Sequence, residues 1–488
     1  MFKDIQVLGK ESLIYGLSTV IARLLNFILM PFYTHYLAPG EYGIIAAVYS
    51  YIAFLNIIYH YGMDQAYMRH FEEKEKAFPS SFVCLILSSA LFSGALALNP
   101  VFFAKISGIG GEYSKFMLYS AAILFLDTLT VIPFADLRMR HKAFYFANVK
   151  IMGIVLNVIL NVMFIKYMDK GIEGVFLANL ASSAVSAAML SNYFADIKFK
   201  IYPDVLKKLL HFALPLLPAG LSSMAIQVID RPLLLFLADK TSVGIYQANY
   251  RLGIFVMLLV VMFDQAWRPF FIERADRTDA KRIFARVFSY FAVILVWIVL
   301  ALSFFISDIA KFEIRNTPLI HPGYWSGIGI APVVFVAYLF NGFYINFLAP
   351  VIISKRTGFL FVISIAGAAV SVISNLILIP VLNIYGSAIS TLLSYVTMAS
   401  LAYLAGRKLY SIPYEFKRIF KIVVITFVLL TPVLFLELNA GAWSLYRTGV
   451  LTIYPFLIFF SGFFDDREKE QIRSLLRIIS SAGVRRRI

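Results

Sequence analysis

The chain alternates long apolar runs with short polar, charge-bearing segments from one end to the other. Runs of roughly 20 residues suffice for a helix to cross about 30 Å of hydrocarbon, and about fourteen of them are predicted here. They fall near Ser12–Tyr36, Gly43–Met63, Ser80–Ala104, Ser114–Phe134, Phe146–Met168, Ile172–Ala195, His211–Leu237, Val243–Ala266, Phe284–Ser307, Ser326–Ile353, Gly358–Ile379, Ile384–Ala405, Ile419–Leu438 and Ser444–Gly462. The expected fold class is an all-α polytopic membrane protein.

The runs also repeat. MDQA at Asp64 returns as FDQA at Asp264, and PGEYGIIAAVYSY has its counterpart in VGIYQANYRL. Further on, Asn161 and Gly174 match Asn375 and Gly386, and the two sets of matches keep the same order, the first at an offset of about 200 residues and the second at about 212. Six helices per copy is an even number, so both copies enter the membrane in the same direction, and parallel repeats of this kind place substrate near the midplane between the halves. Two six-helix lobes are therefore expected, at 1–205 and 206–410. Two extra helices follow at 411–465, then a basic cytoplasmic tail at 466–488, readable as an amphipathic surface helix or as a solvated coil.

Composition agrees with this picture: 60% of residues are hydrophobic and 15% charged, against about 25% charged in soluble domains. The first run is too long for a signal-peptide core and lacks a small-residue cleavage site, so it is expected to stay as a helix of a chain starting at Met1. Net charge is +16, but its distribution argues against nucleic acid. With a cytoplasmic N-terminus, about 32 Lys/Arg lie in inside segments and about 8 in outside ones, which is the positive-inside bias of a multi-pass plasma-membrane protein with both termini cytoplasmic. Attraction to anionic membrane lipids accounts for the densest clusters. The single cysteine, Cys84, excludes an internal disulfide. No Gly-rich phosphate loop or metal-spaced Cys/His set occurs, and the loops are too short for a catalytic domain, so the expectation is a non-enzyme without a cofactor.

What remains is the charge inside the spans. Arg23, Lys150, Arg231 and Arg251 all fall within predicted helices. Lys150 lies about one turn from a helix end, where snorkelling explains it. An arginine facing lipid at a helix centre costs about 2.5–3.5 kcal/mol, so the three arginines are expected to face a polar interior. One reading is internal ion pairing, of Arg231 with Asp230 or Asp264 and of Arg23 with Asp127. The other is a cationic cavity, whose planar guanidinium forks suit phosphate oxygens. Asp127, mid-span, is a candidate for H+ or Na+ coupling, because a carboxylate in a low-dielectric setting titrates readily. Asp64 and Asp264 occupy matching positions beside Arg69 and Arg268, which points to gate or structural pairing, as does Asp230 beside Arg231.

The segments DRPLLLFLADKTSVGIYQANYRL, PGEYGIIAAVYSY with GMDQAYMRHF, and IPFADLRMRHKAF resemble the Wzx-like polysaccharide repeat-unit flippases of the MOP exporter superfamily, in helix order over nearly the whole chain. The resemblance implies two lobes in a V that rock between inward-open and outward-open states. It implies as cargo an oligosaccharide on undecaprenyl pyrophosphate, flipped outward for surface polysaccharide such as lipopolysaccharide, with a polymerase and glycosyltransferases as partners. Cationic residues of the first and eighth helices line the cavity in that family, which transfers to Arg23 and Arg251 and less directly to Arg231. A MATE-like ion-coupled drug exporter and a lipid II flippase are the alternative readings. A cavity for cationic drugs should be lined with carboxylates, which the arginines disfavour.

Overall fold

The computed structural model describes residues 20–195 except 22, 199–435 and 439–470. The start of the first predicted span and most of the basic tail lie outside the described residues. In hydrocarbon every backbone amide must find its partner within the chain, so apolar runs of this length fold as helices. Helix α1 occupies 23–36. It is followed by α2 (Pro39–Arg69), α3 (Phe71–Leu98), α4 (Lys115–Met139), α5 (Ala143–Tyr167), α6 (Gly171–Met189), α7 (Pro203–Val228, continued by Asp230–Leu237), α8 (Lys240–Arg274), α9 (Ala280–Lys311), α10 (Pro322–Ile353), α11 (Gly358–Leu382) and α12 (Ile384–Leu409). Helices α13 (Phe416–Phe435) and α14 (Ala440–Phe460) complete the set.

Eleven of these, α2 to α12, are long and apolar enough to cross a membrane among the described residues. The other three stand where the first and the last two spans were expected. The protein is a multi-pass membrane protein. The structure extends several helices past their predicted ends. Notably, the charged segment after His70 is already helical and leads directly into α3. The predicted long loop after α9 contains a small hairpin, β1 (Glu313–Ile314) against β2 (Thr317–Pro318). Arg315 and Asn316 both have positive φ there, as a two-residue I′ turn requires.

Several hydroxyls within the spans donate to the carbonyl one turn back. Ser50 donates to Ala46, Ser120 to Phe116, Thr128 to Leu124 and Ser390 to Gly386, each at 2.7–2.8 Å. These four thereby sit inside an apolar helix without an orphaned donor.

Packing within the first half joins α3 to α4, α4 to α6 and α5 to α6; in the second half α11 packs on α12, α10 on α12 and α9 on α10. Where the two copies meet, the first part of α2 crosses the first part of α8. Farther along, these two helices part company. Residues 63–69 of α2 turn to α4 and to the start of α7, while 254–274 of α8 turn to α9 and α10.

The crossing is made by backbone. A Cβ on Gly43 would lie 1.8 Å from the Lys240 carbonyl oxygen, and one on Gly244 would lie 1.8 Å from the Pro39 carbonyl oxygen. The two contacts are mirror versions of each other across the repeat. Around them, Tyr324 donates to the Leu37 carbonyl at 2.8 Å, Asn249 donates to the Tyr324 carbonyl at 2.9 Å, and the rings of His35 and His321 meet edge to face. This end of the molecule is sealed by α1, α2, α8 and α10 together.

Replacing Gly43 or Gly244 by Ala is expected to lower stability by about 1–3 kcal/mol through overpacking against backbone that has no rotamer to change. Gly94→Ala, where an added Cβ would meet nothing within 4 Å, should instead gain about 0.5–1 kcal/mol from helix entropy. Thermal unfolding of the detergent-solubilised chain distinguishes the two signs.

Candidate functional site

Polar residues on α5 and α6 fall on single helical faces. Lys150, Gly153 and Asn157 are spaced three and four apart, as are Asn179, Ser182, Ser183 and Ser186. Both faces turn inward, toward Asp127 and Thr130 of α4, and enclose a cavity of about 500 Å³. Tyr33 and Asn26 of α1, Tyr49 of α2 and Arg251 of α8 complete its wall. Arg251 is the contribution of the second half.

The lining is ordered by hydrogen bonds. Ser183 donates to Asp127 Oδ1 at 2.7 Å, and Asn179 donates to the Tyr49 hydroxyl at 2.8 Å. Tyr33 donates to Asn161 Oδ1 at 2.8 Å, and Ser182 to the Gly153 carbonyl at 3.0 Å. Arg251 donates to a backbone carbonyl, that of Asn26 at 3.3 Å, and lies 5.9 Å from the centre of the Tyr42 ring. Among the described residues no carboxylate lies within ion-pairing distance of it. A charge so placed keeps its donors available.

A second cavity of about 360 Å³ continues from the first toward the far end of α2. Asp127, Thr130, Phe134 and Lys150 line both, and Asn56, His60, Asp64 and Arg138 line the second alone. Lys150 stands at the junction, its ammonium 4.2 Å from the centre of the Phe134 ring. Snorkelling is therefore not its role here: the side chain points into the lobe. The signal was in the sequence, since Lys150 shares a face with Asn157 and Asn161 rather than standing alone at a helix end.

The other predicted residues are placed differently from one another. Arg23 reaches across to α8 and contacts the Met257 sulfur at 3.1 Å, beside the edge-to-face pair of Phe27 and Phe255. Arg231 is buried and bonded through Nε and one outer nitrogen, with Asp230 Oδ1 at 2.6 Å, the Gln227 carbonyl at 2.6 Å and Gln247 Oε1 at 3.0 Å. Tyr246 donates to the other Asp230 oxygen, and Tyr250 lies under the guanidinium at 4.3 Å. Arg231 thus takes the ion-pair arrangement and leaves the cavity to Arg251.

Asp264 pairs with Arg268 at 2.7 Å. Its repeat partner does not follow suit: Arg69 stacks over Phe212 at 4.8 Å, and Asp64 lines the second cavity. The reason is one residue of spacing. Arg268 is four positions past Asp264 and shares its face, whereas Arg69 is five past Asp64 and points elsewhere.

With this geometry in place, comparison with known proteins is informative. The model of the family described as polysaccharide biosynthesis protein matches residues 8–275, more than half of the chain. This chain belongs to that family. A protein of the Lsg locus of Haemophilus influenzae is 21% identical to this family member over 271 residues, 54% of this chain. The match spans 66% of that relative's length, just under two thirds. Among solved structures, the lipid II flippase MurJ in an inward closed conformation superposes with TM-score 0.75 over 92% of this chain and 99% of its own, at 15% identity. An inward-facing multidrug resistance MATE family transporter of the MOP superfamily does so with TM-score 0.59 over 80% of this chain and 97% of its own, also at 15% identity. The family member therefore has the fold of the MOP superfamily.

Breaking the two kinds of ion pair should give different results. Arg231→Ala leaves Asp230 buried without its partner and is expected to cost about 3–5 kcal/mol. Arg268→Ala opens a pair whose arginine is 55% exposed, and should cost no more than about 1 kcal/mol. Thermal unfolding in detergent measures both.

Proposed function

We propose that this protein flips an undecaprenyl-pyrophosphate-linked oligosaccharide repeat unit from the cytoplasmic to the outer leaflet of the plasma membrane, by alternating access between the two repeats. Membership of the polysaccharide biosynthesis family and the flippase-like fold support the class of activity. The observation that carries the substrate reading is Arg251, a cation without a carboxylate partner among the described residues, set at the join of the two halves over a cavity with a second cation, Lys150. A pyrophosphate offers the acceptors such donors lack. The amides and hydroxyls of Asn157, Asn179, Ser182 and Ser186 suit the hydroxyls of a sugar, for which a few placed polar groups in a concave site are the usual means of recognition.

Direction follows from charge. An anion leaving a cytoplasm at negative potential gains about 2.3 kcal/mol per charge per 100 mV, so the potential assists without nucleotide hydrolysis. Asp127, held by Ser183 in the same cavity, is the proposed H+ or Na+ coupling group, and a glycosyltransferase before it and a polymerase after it are the proposed partners. Lipid II is the second substrate reading, favoured by the likeness to a lipid II flippase; it shares the lipid pyrophosphate and differs in the sugar.

Arg251→Ala, expressed at normal levels in a strain lacking the native protein, is expected to lower surface polysaccharide at least about tenfold, with Arg251→Lys restoring part of it. Arg23→Ala should have the smaller effect, since its guanidinium rests on a methionine sulfur. Full polymer from well-folded Arg251→Ala would overturn the assignment.

A further inference from the structure

A third concave surface lies apart from these two cavities, at the end of the first half where α4 stops and α5 begins. Its volume is about 1070 Å³. Lys74 and Lys76 from the start of α3, Arg140 after α4 and Lys142 before α5 line it, against one carboxylate, Glu75. Its remaining lining is largely aromatic, with Tyr67, Phe78, Tyr193 and Tyr202 among the contributors.

The positive charge here is built rather than scattered. Asp136 is fully buried; it accepts from the Tyr67 hydroxyl at 2.6 Å and holds Arg140 Nε at 2.6 Å. That ion pair anchors the guanidinium by its inner nitrogen. The two outer nitrogens of Arg140 have no partner among the described residues, and the side chain is 44% exposed. Phe78 stacks on Tyr193 at 6.4 Å, and the Lys76 ammonium sits 6.0 Å from the Tyr202 ring centre. A positive-inside surface requires only basic residues facing water; it does not require a buried carboxylate and a tyrosine to aim one of them into a hollow.

We propose that this hollow is a binding site for a phosphate ester. A guanidinium fork anchored at its inner nitrogen, with lysines around it, matches the several acceptor oxygens of a phosphate group. The volume far exceeds that of a bare phosphate, and the aromatic surfaces of Tyr193 and Tyr202 offer faces for the polar body it carries. The site joins the ends of α2, α3, α4, α5 and the segment before α7, so its occupancy ties those helix ends together. Two sources present this chemistry: the headgroup of an anionic phospholipid, and a soluble phosphorylated compound.

The test uses the full chain in nanodiscs of phosphatidylcholine, with phosphatidylglycerol added at a minor fraction as one probe and sodium pyrophosphate as the other. Native mass spectrometry reads retained phosphatidylglycerol, and thermal unfolding reads protection by pyrophosphate. Because Arg140→Gln leaves Asp136 buried without its cation, a Lys74→Gln, Lys76→Gln double variant is measured beside it. Both are expected to lower binding of one probe at least fivefold, while Lys281→Gln with Arg282→Gln, a basic pair elsewhere on the chain, leaves it unchanged. Loss of phosphatidylglycerol identifies the lipid source, and loss of pyrophosphate protection the soluble one. Equal losses from all three variants, or from none, would overturn the proposal.

Discussion

Two glycines let the halves of this molecule touch. At Gly43 and Gly244 the repeats approach so closely that a single methyl group on either would sit 1.8 Å from the other's backbone. Everything sealed at that end depends on this approach: the Tyr324 bond to α1, the Asn249 bond to α10 and the meeting of His35 with His321. Because the contact involves equivalent positions of two copies, closing one copy against the other closes both. A symmetric contact at one end, with α2 and α8 diverging toward the other, is the geometry from which a rocking motion can start, since packed interfaces tend to have discrete arrangements rather than continuous ones.

The copies share a fold and have spent their polar residues differently. In the first half Asn157, Asn179, Ser183 and Asp127 surround open space. In the second, Asp230, Arg231, Tyr246 and Gln247 satisfy one another in a closed cluster. A buried ion pair contributes little net stability, but losing one partner is costly, so the cluster acts as a rigid post beside the join. Arg251, about one turn farther along the same helix as Tyr246 and Gln247, turns away from the post, toward the first half. The cavity therefore belongs to one lobe, with a cation supplied by the other.

The helices were legible because hydrocarbon leaves the backbone few choices, and the repeat was legible because MDQA and FDQA recur in register. What the residues alone did not settle was which charges share space. Arg23, Arg231 and Arg251 are equally anomalous as letters; only packing shows that one meets a methionine, one a carboxylate and one a cavity. Two corrections were already written in the spacing. The five-residue step from Asp64 to Arg69 rules out the pairing made by the four-residue step from Asp264 to Arg268, and Lys150 stands on the same face as Asn157 and Asn161. For a charge inside a span, the face of the helix decides its surroundings more than its nearness to the helix end.

If the sealed end must open for cargo to leave, fixing it shut must stop transport. The most direct measurement places cysteines at Thr34 and His321, whose side-chain oxygen and backbone nitrogen lie 3.4 Å apart across the seam, in a chain with Cys84 replaced by serine. The full-length protein is reconstituted in liposomes with a fluorescent lipid-pyrophosphate oligosaccharide, and appearance of the sugar in the opposite leaflet is followed. The account predicts normal movement in reductant, arrest after oxidation and recovery on re-reduction. Unchanged movement with the cross-link formed would contradict it.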